Sequence, residues 1–308
     1  MTRVAALDCG TNSLRLLVAD VDGDALSDVV RRMEVVRLGA GVDRTGRLAP
    51  DALIRTFAVL DDYAAAIRTL EVDAVRMVAT SATRDAENRD EFVDGVVERL
   101  GVAPEVVSGD EEARLSFLGA TRELRSATDL AAPYLVVDIG GGSTEFVLGD
   151  ETGPVAAKSV DIGCVRMTER HLVDDPPTAE QVAAARQDIL AAIELAGSTV
   201  PLDQGRTFIG LAGSVTTVVA LALGLPAYDP ERIHHARVSA ADVHRVTEEL
   251  LVATRSERAA LPVMHSGRVD VIGGGALVLD TIMERCRFDT VVASEHDILD
   301  GIAFSMVG

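Results

Sequence analysis

Asp8-Cys9-Gly10-Thr11-Asn12-Ser13 and Asp138-Ile139-Gly140-Gly141-Gly142-Ser143 share one pattern, Asp-x-Gly-x-x-Ser. An apolar run leads into each copy, Val4 to Leu7 and Tyr134 to Asp138. A second leads out, Leu14 to Val21 and Thr144 to Leu148. Apolar runs of this length bounded by glycine turns read as strands. Two matched strand-turn-strand devices in one chain point to an internal duplication. The expected product is two lobes that set two Asp-bearing turns facing one another across a cleft. Small residues let backbone N–H groups approach an anion closely, and the hydroxyls add donors, so each turn is a candidate phosphate cradle.

Outward from the turns, short Val/Ile/Leu runs alternate with longer amphipathic stretches, which is the signature of an α/β fold. Helices are predicted over Pro50 to Leu70, Asn88 to Leu100, Ser108 to about Arg125 and Ala179 to Gly197. Strands are predicted at Val75 to Ala79, Glu105 to Val107, Phe208 to Leu211 and Thr290 to Ala293, with a loop at Ser126 to Pro133 and a last helix near the end. At 308 residues the chain is longer than one core usually fills, and its 48% hydrophobic content suffices for two.

The charge balance narrows the partners. With 29 Lys plus Arg against 49 Asp plus Glu, the formal charge is −20. Bulk adhesion to nucleic acid needs clustered cations, so that class is excluded. Lys158 is the one lysine and follows Ala157, which excludes a P-loop, whose lysine follows glycine. No run of about 18 apolar residues marks a membrane span, and the start does not read as a signal peptide. Cys9, Cys164 and Cys286 are odd in number and widely spaced, which fits reduced thiols in a cytoplasmic protein.

Several side chains could carry chemistry. An acid inside a phosphate cradle makes sense chiefly when it holds a cation or orients water, so Asp8 and Asp138 are candidate metal ligands, with turn stabilisation as the alternative. Glu145 begins the return strand of the second turn and can join the same locus; the first turn carries Arg15 there. In Ser108-Gly109-Asp110-Glu111-Glu112, Ser108 and Glu111 have capping-box spacing, which gives Glu111 a structural task. Glu112 lies about 100° around the helix and is the better candidate general base. Arg84, in Thr80-Ser81-Ala82-Thr83-Arg84 after a strand, is the cation expected on a phosphate, at the centre of a locally positive cleft. Gly213 and Ser214 repeat the strand-glycine-hydroxyl-helix recipe. Gly273 to Gly275 either admit a ligand or let two helices pack. His234-His235 and His296-Asp297 lack further ligands at metal spacing and read as structural. The Gly-x-Ser-x-Gly elbow of serine hydrolases is absent.

Taken in order, these segments resemble the exopolyphosphatase and guanosine pentaphosphate phosphohydrolase (Ppx/GppA) family. The matching pieces are the two Asp-x-Gly turns, the second extended through Thr144 and Glu145, with Ala82 to Asn88, Ser108 to Arg114, Ala212 to Thr217 and Arg268-Val269-Asp270. The resemblance implies the actin-like ATPase fold, with ribonuclease-H-like lobes over residues 1–125 and 126–308 and a last helix free to pack back on the first. It implies hydrolysis of the terminal phosphate of inorganic polyphosphate, or of the 5′ γ-phosphate of guanosine pentaphosphate, with Mg²⁺ or Mn²⁺, usually in a homodimer. It lays the catalytic glutamate on Glu112, the metal-associated and water-orienting acids on Asp138 and Glu145, and phosphate binding on Asn12, Ser13, Arg84, Gly141, Gly142 and Ser143. The chain stops before the C-terminal helical domain of longer relatives. Three alternatives stay open: a nucleoside-triphosphate phosphatase, a sugar or acetate kinase of the same fold, and a polyphosphate- or alarmone-binding protein with little catalysis.

Overall fold

The computed structural model of the chain describes residues 1–122 and 130–307. Two compact units result, one of Met1–Arg125 with Asp297–Gly308 and one of Ser126–His296. The second unit therefore ends at His296 and not at residue 308, because the last helix, Ile298–Ser305, packs into the first.

In the first unit β1 (Thr2–Cys9), β2 (Ser13–Asp22) and β3 (Ala25–Val35) form an antiparallel meander, while β4 (Ala74–Ala79) and β5 (Glu105–Val106) extend the sheet in parallel. The order is β3-β2-β1-β4-β5. In the second unit β6 (Tyr134–Ile139), β7 (Thr144–Asp150) and β8 (Gly153–Val160) repeat the meander. There β9 (Thr207–Leu211) and β11 (Thr290–Ala293) continue in parallel, and β10 (Arg237–Ser239) closes the edge in the order β10-β11-β9-β6-β7-β8. Three antiparallel strands followed by parallel ones is the ribonuclease-H-like arrangement, present twice, as the actin-like fold requires.

Both faces of the first sheet are covered, which explains why its strands read as continuous apolar runs. Ala5, Leu7 and Cys9 point to a core shared with the helices Pro50–Thr69 and Arg89–Leu100. Val4 and Ala6 point the other way, to Leu115 of the helix Gly109–Thr121 and to Leu299, Ile302 and Phe304 of the last helix. Burying each such large side chain contributes about 1.5–3 kcal/mol. The two helices on that face touch backbone to backbone: a methyl on Gly119 would sit 1.8 Å from the Asp297 carbonyl oxygen, and one on Gly301 1.9 Å from that of Leu115.

The helices predicted at Pro50 and Ala179 form as Pro50–Thr69 and Ala179–Gly197. The helix expected from Ser108 is observed over Gly109–Thr121; its predicted end at Arg125 and most of the loop after it lie outside the described residues. Reading the sequence missed β3, β8 and the helix Cys164–His171. Cys9, Cys164 and Cys286 are free thiols, and among the described residues no helix is long and apolar enough to cross a membrane.

Candidate active site

In the first unit β1, β4 and β5 run parallel and end side by side, with Cys9 opposite Ala79 and Ala79 opposite Val106. The three segments leaving those ends carry the expected residues: the turn with Asn12 and Ser13, the short helix Ser81–Asp85 with Arg84, and the helix start with Glu112. The turn closes through Gly10 N–H donating to the Ser13 carbonyl at 3.0 Å. The Asn12 carbonyl accepts from the Val36 and Arg37 amides, so the segment after β3 braces it. The hydroxyls of Thr11 and Ser81 lie 2.9 Å apart and join the turn to the helix that carries Arg84.

Glu112 is 7% exposed, and Arg84 donates to its Oε2 at 3.1 Å and to the Val107 carbonyl at 3.0 Å. Arg84 is thus paired with the candidate base. The capping argument held in half. Ser108 Oγ accepts from the Glu111 amide at 3.2 Å, but the Glu111 carboxylate turns toward Arg76, 3.9 Å away, instead of reaching back. What separates the two acids is burial: Glu111 faces solvent and Glu112 the interior.

Asp8 is paired within its own unit. It faces Arg15 in the β1–β2 ladder, and its Oδ2 accepts from Arg15 Nε at 2.9 Å and NH2 at 2.7 Å. Arg15 also pairs with Asp297, which caps the last helix through the Leu299 amide. Burial pushes the Asp8 carboxyl up against the pull of Arg15. Burial opposes charge on Asp297 as well, but there Arg15 prevails and holds it below the usual carboxylate range. Arg15 thus holds Asp8 Oδ2, while the buried Oδ1 has no hydrogen-bond partner among the described residues.

In the second unit Gly140 N–H donates to the Ser143 carbonyl at 3.1 Å, the same closure as in the first turn. The amides of Cys164 and Val165 donate to the carbonyls of Gly140 and Gly141 at 2.9 Å, and Arg166 Nε to that of Gly142 at 2.8 Å. With its carbonyls held this way, the turn keeps the amides of Gly141, Gly142 and Ser143 without a backbone acceptor among the described residues. Successive free amides form an anion-binding concavity. Asp138 faces Glu145 across the β6–β7 ladder, and both are buried, at 6% and 1% exposure. Side chains directly opposed on antiparallel strands share a face, with Cβ atoms about 5 Å apart.

The parallel neighbour β9 brings Gly213 and Ser214 to the same sheet end, with Leu211 opposite Asp138. The Arg268 guanidinium lies against Gly213, where a methyl would come within 2.3 Å of it, and donates to Thr217 Oγ1 at 3.1 Å. In the sequence Arg268 belongs to the family-like piece Arg268-Val269-Asp270, just ahead of Gly273 to Gly275. Those glycines serve packing: a methyl on Gly274 would meet Thr168 Oγ1 at 2.7 Å, and one on Gly275 would meet Ser214 Oγ at 2.2 Å. His234, His235 and His296 stack together, their ring centroids 3.8 and 4.7 Å apart.

Among the described residues no three His, Cys, Asp or Glu gather closely enough to hold a metal by themselves. The Asp138–Glu145 pair fits a different kind of ion. Mg²⁺ is commonly held by one or two carboxylates while it keeps waters and takes substrate phosphate oxygens. Two hard oxygen donors beside a phosphate-type turn meet that requirement.

Comparison with known proteins shows the family. The model of the Ppx/GppA phosphatase family matches residues 17–308. The chain is 52% identical to exopolyphosphatase 2 of Mycobacterium tuberculosis, over 100% of this chain and 99% of that protein. It is 31% identical to the guanosine-5′-triphosphate,3′-diphosphate pyrophosphatase of Vibrio atlanticus, over 98% of this chain and 59% of that one. Among solved structures, an exopolyphosphatase-like protein superposes with a TM-score of 0.96 at 46% identity, covering 99% of this chain and 97% of its own.

Proposed function

The chain belongs to the Ppx/GppA phosphatase family, and on that premise we propose that it is an exopolyphosphatase, which releases the terminal phosphate of inorganic polyphosphate by hydrolysis. The family supplies the reaction class. The observation that carries the residue roles is the buried Glu112 carboxylate held by Arg84 at a helix start beside the first turn.

Glu112 accepts the proton of the attacking water as the oxygen–phosphorus bond forms, and so acts as general base. Arg84 orients Glu112 Oε2 and stands within reach of the transferring phosphoryl, where its charge opposes the charge that develops. Asn12 and Ser13 in the first unit, and the amides of Gly141, Gly142 and Ser143 in the second, bind phosphate oxygens. Gly213, Ser214 and Arg268 extend that set. Asp138 and Glu145 would hold Mg²⁺, with Mn²⁺ as a substitute, and when bound this ion neutralises phosphate charge and polarises the bond that breaks. We assign Asp8 to holding Arg15 and not to the metal.

Guanosine pentaphosphate is the alternative substrate, favoured by the similarity to the Vibrio enzyme, which is considerably longer. Phosphate release from polyphosphate of defined lengths and from guanosine pentaphosphate, with and without Mg²⁺, decides between them. Metal-dependent release from polyphosphate is expected. Release from the nucleotide alone would transfer the assignment, and tight binding without release would make the protein a binder. A homodimer and a cytoplasmic location complete the proposal. Light scattering on the purified chain tests the first.

A further inference from the structure

We infer that Ser159 is a positioning residue for Glu145, fixing how that acid meets its cation. The inference rests on the reading of Glu145 as a metal-associated acid. It starts from a row across the second sheet. Ser159 of β8 is opposite Glu145 of β7, and Glu145 is opposite Asp138 of β6, so the three side chains share one face.

Within that row Ser159 Oγ donates to Glu145 Oε1 at 2.7 Å. This is a well-formed hydroxyl-to-carboxyl hydrogen bond. Glu145 is 1% exposed, so bulk water cannot take over that task. With Oε1 held by Ser159, the orientation in which the carboxylate meets a cation is set at one of its oxygens. A glutamate has several rotatable bonds, and packing alone leaves its terminal torsion loose. The hydroxyl removes that looseness. Groups that orient a ligating carboxylate typically change metal affinity or activity about 10–100-fold when removed.

The position of Ser159 strengthens the case. It lies just ahead of the segment whose amides and Arg166 hold the carbonyls of Gly140 to Gly142. One edge of the second unit, from Ser159 to Arg166, thus sets both the acid and the phosphate turn.

The test uses the full chain, with Mn²⁺ binding read by electron paramagnetic resonance on the protein alone and phosphate release from polyphosphate read separately. Ser159→Ala is expected to weaken Mn²⁺ binding and lower kcat, each by about 10–100-fold, while KM for polyphosphate stays within about twofold. Ser159→Thr keeps the hydroxyl on a residue type suited to a strand and should restore both. Glu145→Gln serves as the reference that loses Mn²⁺, and thermal unfolding confirms that each variant is folded. Parental Mn²⁺ affinity in Ser159→Ala beside lost affinity in Glu145→Gln overturns the inference and leaves the reading of Glu145 intact. Parental affinity in Glu145→Gln overturns both.

Discussion

The turns Gly10–Ser13 and Gly140–Ser143 are closed by the same hydrogen bond, at 3.0 and 3.1 Å, and each follows the same aspartate at the same offset. They differ in what faces that aspartate from the return strand. Asp8 meets Arg15, and Asp138 meets Glu145. In the first turn the charge is cancelled within the protein, and the guanidinium goes on to Asp297 and ties the last helix to the sheet. In the second turn two carboxylates stand together, an arrangement that an Mg²⁺-type ion would complete. On the proposed reading, a repeated device divides its work through a single residue position, one copy securing the fold and the other meeting the substrate's charge.

The largest effect should come from erasing the difference. Glu145→Arg gives the second turn the pairing of the first, and kcat for phosphate release should fall on the order of 10³-fold with the fold retained by circular dichroism. Converting the first turn acts on stability instead. Arg15→Ala strands two buried carboxylates and should cost about 3–5 kcal/mol in denaturant unfolding.

Asp297→Asn is milder, because Arg15 keeps Asp8. Losing a charge-assisted hydrogen bond should cost about 2 kcal/mol at neutral pH. Its sign with pH follows from the lowered carboxyl of Asp297. The stabilisation is present above the unfolded value of about 3.9 and fades as pH falls through the lower folded one. The gap between parent and variant should therefore close below about pH 4; a gap that widens in acid would contradict the pairing. Smallest of all, Glu111→Gln touches a half-buried acid outside both turns and should stay within about 0.5 kcal/mol, with turnover unchanged.

Much of this was legible in the residues. The two turns and their flanking strands announced themselves because buried strands are apolar throughout and glycine marks their ends. The long helix Ala179–Gly197 was legible as an amphipathic run after the polar, proline-rich segment Val173 to Thr178, and in the structure both halves of a Thr178–Gln181 capping box form. What escaped notice had physical reasons. β3 is an edge strand whose Asp28, Arg31, Arg32 and Glu34 read as solvent-facing loop, and charges of this kind shield an edge from pairing. β8 opens on Gly153-Pro154, which reads as a turn, and the helix Cys164–His171 is short and polar. Hydrogen-bond partners distant in the chain left no local mark. Nothing near Arg15 signals Asp297, and nothing near Glu145 signals Ser159. The half-formed box at Ser108 teaches the converse, since a local pattern yielded where Arg76 offered Glu111 another partner.

The most direct test of the whole account is turnover by Glu112→Gln on polyphosphate with Mg²⁺, alongside the affinity of the same variant for the polymer. The base assignment predicts kcat lower by on the order of 10²–10⁴ with affinity within about threefold. Near-parental kcat in a folded Glu112→Gln protein would contradict it and return the search for the water-activating group to the acids of the two turns.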